Sequence, residues 1–277
     1  MSDLLEVEGL NVVFPSHHGE TLAVRNASFA VGRERLGIVG ESGSGKSTTA
    51  RALLGLIPAP GIVSAKTMRF KDQNLIGLQD HEWQGIRGRH MSMVMQDPKY
   101  SLNPVIKVGL QVQETYLLHH KASIAQAKRR ALVMLEAVKI RDPDLVFHLY
   151  PHQLSGGMGQ RVMIAMMLIT EPELLIADEP TSALDVTVQN EVLRILDDLV
   201  KDHGMGLIFI SHNLTIVSSF CDRVLVMYGG KIVEECKANE LHLAKHPYTR
   251  ALLKAAPSVK HATTELSVVT RDPEWLQ

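Results

Sequence analysis

Three glycines, a lysine and a serine stand at the spacing of a phosphate-binding loop in Gly40-Glu41-Ser42-Gly43-Ser44-Gly45-Lys46-Ser47, with Thr48 next in line. The pattern is G-x-x-x-x-G-K-[ST]. It lies between a short apolar run, Arg35 to Val39, and a helical stretch from Ser47 to Leu56, which is the strand–loop–helix context that gives such a match its meaning. Gly40, Gly43 and Gly45 let successive backbone N–H groups converge on phosphate oxygens with no Cβ in the way. The N-terminus of the following helix adds partial positive charge. Lys46 is expected to reach the β- and γ-phosphates and the Ser47 hydroxyl to ligate Mg²⁺, so the chain is expected to bind ATP and to hydrolyse it.

Two carboxylates come next. Leu174-Leu175-Ile176-Ala177 is an apolar strand ending in Asp178 and Glu179, and a strand of this kind delivers its last residues to the C-terminal edge of a sheet, where ligands bind. Asp178 is expected to hold Mg²⁺ through water, and Glu179 to polarise the water that attacks the γ-phosphate. Ser155-Gly156-Gly157 runs straight into a helix and forms a second anion site, with a hydroxyl, exposed N–H groups and a helix dipole pointing outward. One nucleotide does not need two such sites in one chain, and a turn of this kind taken alone is more often a helix cap. His212 ends the apolar run Leu207 to Ile210, again where a ligand-facing residue is expected. The pairs His148/His152 and His242/His246 have i, i+4 spacing. Pro151 interrupts the first and no cysteine or carboxylate cluster accompanies the second, so both read as surface histidines rather than metal ligands.

These residues need elements to position them. Leu4 to Phe14 and Thr21 to Val31 read as two strands around a turn at Pro15 to Glu20. Arg35 to Val39 is a short apolar strand, and Pro58, Pro60 and Gly61 close the helix after the loop. From about Val105 to Val146 the pattern is helical, with Ala125 to Ile140 amphipathic and Lys128, Arg129 and Arg130 on its wet face. No aromatic residues interleave with those basic side chains, so they read as a solvated face. A helix from Gln160 to Ile169, the strand 174–177, a helix from Val186 to Lys201 and the strand 207–210 follow. Continuous apolar strands alternating with helices imply an α/β fold with a parallel sheet covered on both faces. Val224 to Tyr228, Gly229-Gly230 and Lys231 to Glu235 read as a hairpin.

Composition sets limits on partners. The formal net charge is −1 and the sequence pI about 6.9, so no global field recruits nucleic acid or anionic lipid, and no nucleic-acid partner is expected. Cys221 and Cys236 are the only cysteines, too few for a disulfide framework. Acidic residues among the first six positions do not suit a signal peptide, and no apolar run approaches the ~20 residues of a membrane helix. A cytosolic protein is expected, one that reaches a membrane only through a partner.

Taken together, the motifs resemble those of the nucleotide-binding subunits of ATP-binding-cassette transporters, over nearly the whole chain. Gly40 to Ser47 is similar to that family's Walker A, Leu174 to Glu179 to its Walker B, and Leu154-Ser155-Gly156-Gly157-Met158 to the signature that sets cassettes apart from other phosphate-loop enzymes. Gln96 resembles the Q-loop glutamine that touches Mg²⁺, Ser182-Ala183-Leu184-Asp185 the D-loop, and His212 the histidine that senses the γ-phosphate. Phe14 lies where an aromatic residue stacks on adenine. The resemblance implies a phosphate-loop NTPase (RecA-like) core with an N-terminal antiparallel β subdomain and a helical subdomain inserted at about 100–160, all within 1–244. A tail follows at 245–277. It also implies head-to-tail pairing, in which the signature turn of one subunit closes on the ATP of the other.

Gln96 to Pro104, and His246-Pro247-Tyr248-Thr249-Arg250-Ala251-Leu252-Leu253 in the tail, resemble importers of di- and oligopeptides, nickel and opines. That subfamily implies two transmembrane permease subunits, a second ATPase subunit that is the same or homologous, a periplasmic solute-binding protein, and a peripheral position on the cytoplasmic face of the bacterial inner membrane. Two residues depart from the pattern: Asn213 stands where the family usually has an acid, and Gly159 where a larger polar residue is common. The alternatives are a soluble non-transport cassette ATPase, which would carry long coiled-coil insertions or fused cassettes, and a phosphate-loop small-molecule kinase, which would not need the Ser155 turn.

Overall fold

The computed structural model describes residues 3–16, 19–182, 184–255 and 275 of the 277-residue chain. The chain forms two units, one from its start to Leu78 together with Ile208 onward, the other from Gln79 to Leu207. In chain order the first unit holds β1 (Leu5–Ser16), β2 (Gly19–Val31), β3 (Arg35–Val39), α1 (Lys46–Leu53), β4 (Ile62–Ser64), β5 (Thr67–Phe70) and β6 (Gln73–Asn74). The second holds α2 (Asp80–Gln84), β7 (Met91–Val94), α3 (Val108–His119), α4 (Ile124–Ala137), α5 (Pro143–Phe147), α6 (Gly156–Leu168), β8 (Leu174–Asp178) and α7 (Val186–His203). The chain crosses back along β9 (Gly206–Ile210), and α8 (Leu214–Phe220), β10 (Arg223–Tyr228), β11 (Lys231–Lys237) and α9 (Pro247–Ala255) complete the first unit.

Alternating burial along β1 and β2 pairs them antiparallel from Leu5 opposite Val31 to Ser16 opposite Gly19, and β5, β6 and β4 extend the same antiparallel sheet. Leu5, Leu10, Val12, Val24 and Val31 are fully buried, and register shifts between Val7 and Val13 break the strict period of two that would set Leu5 and Leu10 on opposite faces. Strands β3 and β10 are buried on both faces and lie parallel, with Val224 opposite Gly37 and Val226 opposite Val39, while the charged, part-exposed β11 pairs antiparallel with β10. The N–H of Ser211, just past β9, donates to Ile38 O at 3.2 Å. Helix α8 packs on β3 at Gly37, where an added Cβ would stand 2.4 Å from Val217 Cγ1 and 3.1 Å from Cys221 Sγ. Burial there pushes the Cys221 thiol up to about 12, so this cysteine behaves as a small core hydrophobe.

In the second unit β7 runs parallel to β8, Met91 opposite Leu174 through Val94 opposite Ala177, every one of these residues buried. The Gly206 N–H at the start of β9 donates to Glu173 O at 2.8 Å. Helices α3, α4, α5 and α6 pack on one another. Gly109 of α3 makes room for the Phe147 ring, whose Cγ would lie 2.1 Å from a Cβ at that position. Val162, Met163, Ile164 and Ala165 of α6 are fully buried. Ala127, Ala131, Met134 and Leu135 of α4 are buried. The basic face is wet only in part: Arg129 is exposed, whereas Lys128 and Arg130 are half-buried, Lys128 over the Phe147 ring at 5.1 Å and Arg130 paired with Glu171.

Three boundaries differ from the sequence expectation. Helix α1 stops at Leu53 rather than Leu56 because Gly55 takes φ 61° and its N–H bonds back to Ala52 O, a glycine C-terminus that acts before the prolines do. The helical stretch from 105 to 146 is three helices, broken where Ser123 caps α4 and Pro143 opens α5. Helix α6 begins at Gly156, earlier than Gln160, since the Ser155 hydroxyl accepts the Met158 N–H at 3.3 Å.

Replacing Gly37 by alanine forces a methyl into the contact between β3 and α8. The expected result is a loss of about 1–3 kcal/mol in urea unfolding, the usual cost of overpacking; unchanged stability would contradict the packing described.

Candidate active site

In the first unit the loop between β3 and α1 is a tight backbone curl. Gly40, Gly43 and Gly45 take φ of 153°, 82° and 101°. A Cβ on Gly40 would stand 2.2 Å from Met227 O, and one on Gly45 2.5 Å from Ala23 O. Gly43 is exposed with nothing near it, so only its φ demands glycine there. Lys46 is 5% exposed, and its ammonium donates to Gly40 O at 2.8 Å and Glu41 O at 2.7 Å. By binding the loop's own carbonyls it draws them to one side and leaves the N–H groups for an anion. Thr49 Oγ1 donates to Gly45 O at 2.9 Å, so the first turn of α1 is bound to the loop. Ser47 and Thr48 are half-buried beside it.

The hairpin of β10 and β11 supports this curl. Gly230, at φ 86°, donates its N–H to Ser44 O at 3.1 Å and accepts the Arg25 N–H at 2.8 Å. From the far end of the chain, the Tyr248 hydroxyl accepts the Glu41 N–H at 2.9 Å. Sequence reasoning missed Tyr248. It had marked the tail run as a subfamily feature, and nothing local ties a tyrosine to a loop 207 positions away.

His212 is exposed directly after Ser211, which is buried. Asn213 Oδ1 accepts the Thr215 and Ile216 N–H groups at 3.0 and 3.2 Å and caps α8. An aspartate would present the same acceptor, which explains how asparagine serves here. Phe14 is half-buried in β1, its ring against the Gly61 backbone.

In the second unit β8 carries Asp178, 5% exposed, to its end. Glu179 follows at φ 49°, a left-handed conformation that costs a non-glycine residue about 1–3 kcal/mol. The bend turns the Glu179 carboxylate toward Gln96, whose Nε2 lies 3.4 Å from Glu179 Oε2 and 3.3 Å from Ser182 Oγ. Ser182 Oγ donates in turn to Glu179 O at 3.2 Å. The predicted acid and the predicted Q-loop glutamine therefore share one small network. Asp185 caps α7, its Oδ1 accepting the Thr187 and Val188 N–H groups at 3.0 and 3.1 Å. Ala183, between them, lies outside the described residues.

The Ser155-Gly156-Gly157 turn opens α6. A Cβ on Gly157 would stand 2.6 Å from Val188 Cγ1, so the approach of α7 requires glycine there. Gly156 is different: it is exposed, no atom lies within 4 Å of a Cβ built on it, and its φ is not left-handed. Among the described residues nothing demands a glycine at 156. At Gly159 a Cβ would make ordinary contact with Pro98 at 3.6 Å, so the segment after Gln96 rests on α6. Of the paired histidines, His148, His152 and His242 are exposed, whereas His246 is half-buried and its Nδ1 accepts the Tyr248 N–H at 3.2 Å. Among the described residues no cluster of three His, Cys, Asp or Glu side chains gathers as a metal site.

Residues 24–182 match the family described as ABC transporter. The chain is 45% identical over 265 residues to the oligopeptide transport ATP-binding protein OppD of Bacillus subtilis, covering 95% of this chain and 74% of that protein. It is 42% identical over 273 residues to the dipeptide transport ATP-binding protein DppD of Lactococcus lactis, covering 98% and 78%. Identity to the glutathione import ATP-binding protein GsiA of Escherichia coli is 47% over 93% of this chain and 42% of that longer protein. Among solved structures, the dimeric post-hydrolysis state of the ATP-binding cassette MJ0796 bound to ADP and Pi superposes with a TM-score of 0.73 at 26% identity, over 84% of this chain and 98% of that one.

The cap geometry makes Asn213 a clean test. Asn213→Asp is expected to leave stability within about 0.5 kcal/mol, and Asn213→Ala to cost about 1 kcal/mol in urea unfolding. Equal losses for both would show that the cap is not what the position supplies.

Proposed function

The chain belongs to the ABC transporter family, and from that membership we propose that it is the ATP-hydrolysing subunit of an importer of peptide-like solutes. The named functions of OppD, DppD and GsiA support the solute class. Gly156 carries the cassette assignment: an exposed glycine that none of the described residues requires fits a turn that must admit something from outside. A facing cassette's nucleotide is the occupant this suits, since the turn offers the Ser155 hydroxyl and the α6 N-terminus to an anion. The dimeric MJ0796 structure supports such pairing.

In this reading Lys46 and the N–H groups of Ser42, Gly43, Gly45, Ser47 and Thr48 bind the phosphates of ATP, and Phe14 stacks on adenine. Glu41 and Ser44 shape the same loop, with their N–H groups given to the Tyr248 hydroxyl and to Glu41 O. Glu179 accepts the proton of the water that attacks the γ-phosphate. Gln96 holds the Glu179 carboxylate and Ser182 its backbone carbonyl, and His212 hydrogen-bonds the γ-phosphate. Asp185 lies in the D-loop. Ser47, Asp178 and Gln96 offer a hydroxyl, a carboxylate and an amide carbonyl, hard oxygen donors that fit Mg²⁺. Mg²⁺ would neutralise charge on the phosphates. The scarcity of carboxylates suits a cation that keeps waters and phosphate oxygens in its shell.

The partners in this reading are two permease subunits, a second cassette that is the same or homologous, and a periplasmic solute-binding protein reached through the complex. Among the described residues no helix is long and apolar enough to cross a membrane. A peripheral place on the cytoplasmic face of the inner membrane follows from the permeases. Val105, Leu118 and Leu145 are 78%, 74% and 63% exposed in the helical part of the second unit, apolar surface that suits a protein partner. The ATPase domain spans 1–244, with its helical subdomain at about 100–160. The tail spans 245–277, of which 256–274, 276 and 277 lie outside the described residues.

Replacing Glu179 by glutamine keeps the shape and removes the base. Turnover is expected to fall at least ~10²-fold while ATP still binds, measured as phosphate release beside nucleotide titration. Hydrolysis at the normal rate would rule out Glu179 as the base.

A further inference from the structure

The run His246-Pro247-Tyr248-Thr249 takes no part in the chemistry above, yet it is tied to the first unit at several points. Glu234 Oε1 of β11 accepts the Lys245 N–H at 2.6 Å and the His246 N–H at 3.3 Å. Pro247 opens α9, where a missing N–H costs nothing, and His246 Nδ1 takes the Tyr248 N–H. Tyr248 and Thr249 are both 0% exposed. The Tyr248 ring lies 4.4 Å from that of Tyr228, centroid to centroid, and Trp275 completes the cluster at 5.5 Å from each. Tyr228 ends β10, immediately before the Gly229-Gly230 turn that bears on the phosphate loop.

A buried aromatic ring would be satisfied by phenylalanine. The hydroxyl is what distinguishes Tyr248, and its partner is the backbone of the phosphate loop. Glu41 is held on both sides, its N–H by Tyr248 at 2.9 Å and its carbonyl by the Lys46 ammonium at 2.7 Å. The peptide preceding Glu41 carries Gly40 O, which Lys46 also binds. A group that fixes this peptide sets the orientation of the loop's first turn before any ligand arrives, and preorganisation of that kind raises affinity by sparing the ligand the cost of ordering the loop.

We propose that Tyr248 is a positioning residue of the phosphate loop, through which nucleotide affinity depends on the docking of α9. The coupling is reciprocal by thermodynamic necessity: ATP that orders the loop must also hold α9 more firmly. This proposal rests on the reading that the Gly40–Ser47 loop binds the phosphates of ATP.

The test uses the full chain and Tyr248→Phe, which keeps the ring and removes the acceptor. The wild-type Kd for ATP comes first; failure of the wild type to bind ATP would sink the functional reading itself. If the wild type binds, the variant is expected to bind about five- to tenfold more weakly, the range of one neutral hydrogen bond. Its kcat at saturating ATP should stay within about twofold of wild type, since Tyr248 does not touch the reacting atoms. An unchanged Kd, or a fall in kcat at unchanged Kd, overturns the proposal and leaves the functional reading standing. Hydrogen exchange on the wild-type chain supplies a readout that needs no variant. Saturating ATP is expected to slow amide exchange in α9 beyond any slowing in β1 and β2. Protection confined to the phosphate loop, with α9 unchanged, overturns the coupling.

Discussion

The tightest constraint in the first unit is the approach of the loop glycines to backbone oxygens, Gly40 to Met227 O and Gly45 to Ala23 O, at distances no Cβ would tolerate. Because these contacts are backbone on backbone, they cannot be relieved by a side-chain rotation. They fix the curl of the loop against β2 and the β10–β11 hairpin, and Gly230 locks the arrangement with hydrogen bonds to Ser44 O and from Arg25 N. Lys46 then binds the carbonyls of Gly40 and Glu41 from inside. The loop's remaining N–H groups stand beside a helix N-terminus, a geometry that suits phosphate oxygens whatever the net charge.

The second unit stores its constraint elsewhere. Glu179 is held at φ 49° by what surrounds it: Ser182 bonds its carbonyl, and Gln96 meets its carboxylate. A strained acid at the end of a buried strand suits a group whose direction matters more than its comfort. Where the segment after Gln96 lies on α6, the residue beneath Pro98 is Gly159. The small residue that departs from the family pattern thus sits under the segment that follows Gln96, where a methyl would make ordinary contact with Pro98.

Much of this was legible in the sequence, for reasons that differ by residue. The strands β3, β8 and β9 are legible as short apolar runs, because burial on both faces favours that composition, whereas Ser92 interrupts the equally buried β7. The phosphate loop, the acids at the end of β8 and the Ser155 cap were legible because their chemistry is local, set by spacing within a few residues. Strands β4, β5, β6 and β7 went unread: β4 and β6 are three and two residues long and exposed in part, too short for a period to show. Helix α8 was hidden behind Asn213, which was weighed as a departure in a motif when its structural work is to cap the helix. Tyr248 was hidden by distance, since a hydrogen bond to Glu41 across 207 positions leaves no pattern in either neighbourhood.

The central claim, that the backbone of the Gly40–Ser47 loop takes the phosphates, is open to direct observation at its own N–H groups. In glycine- and lysine-labelled protein, the amide resonances of Gly43, Gly45 and Lys46 should shift strongly on addition of ATP and remain in place with adenosine, which has no phosphates. Saturable ATP binding that leaves those three amides unmoved would contradict the account.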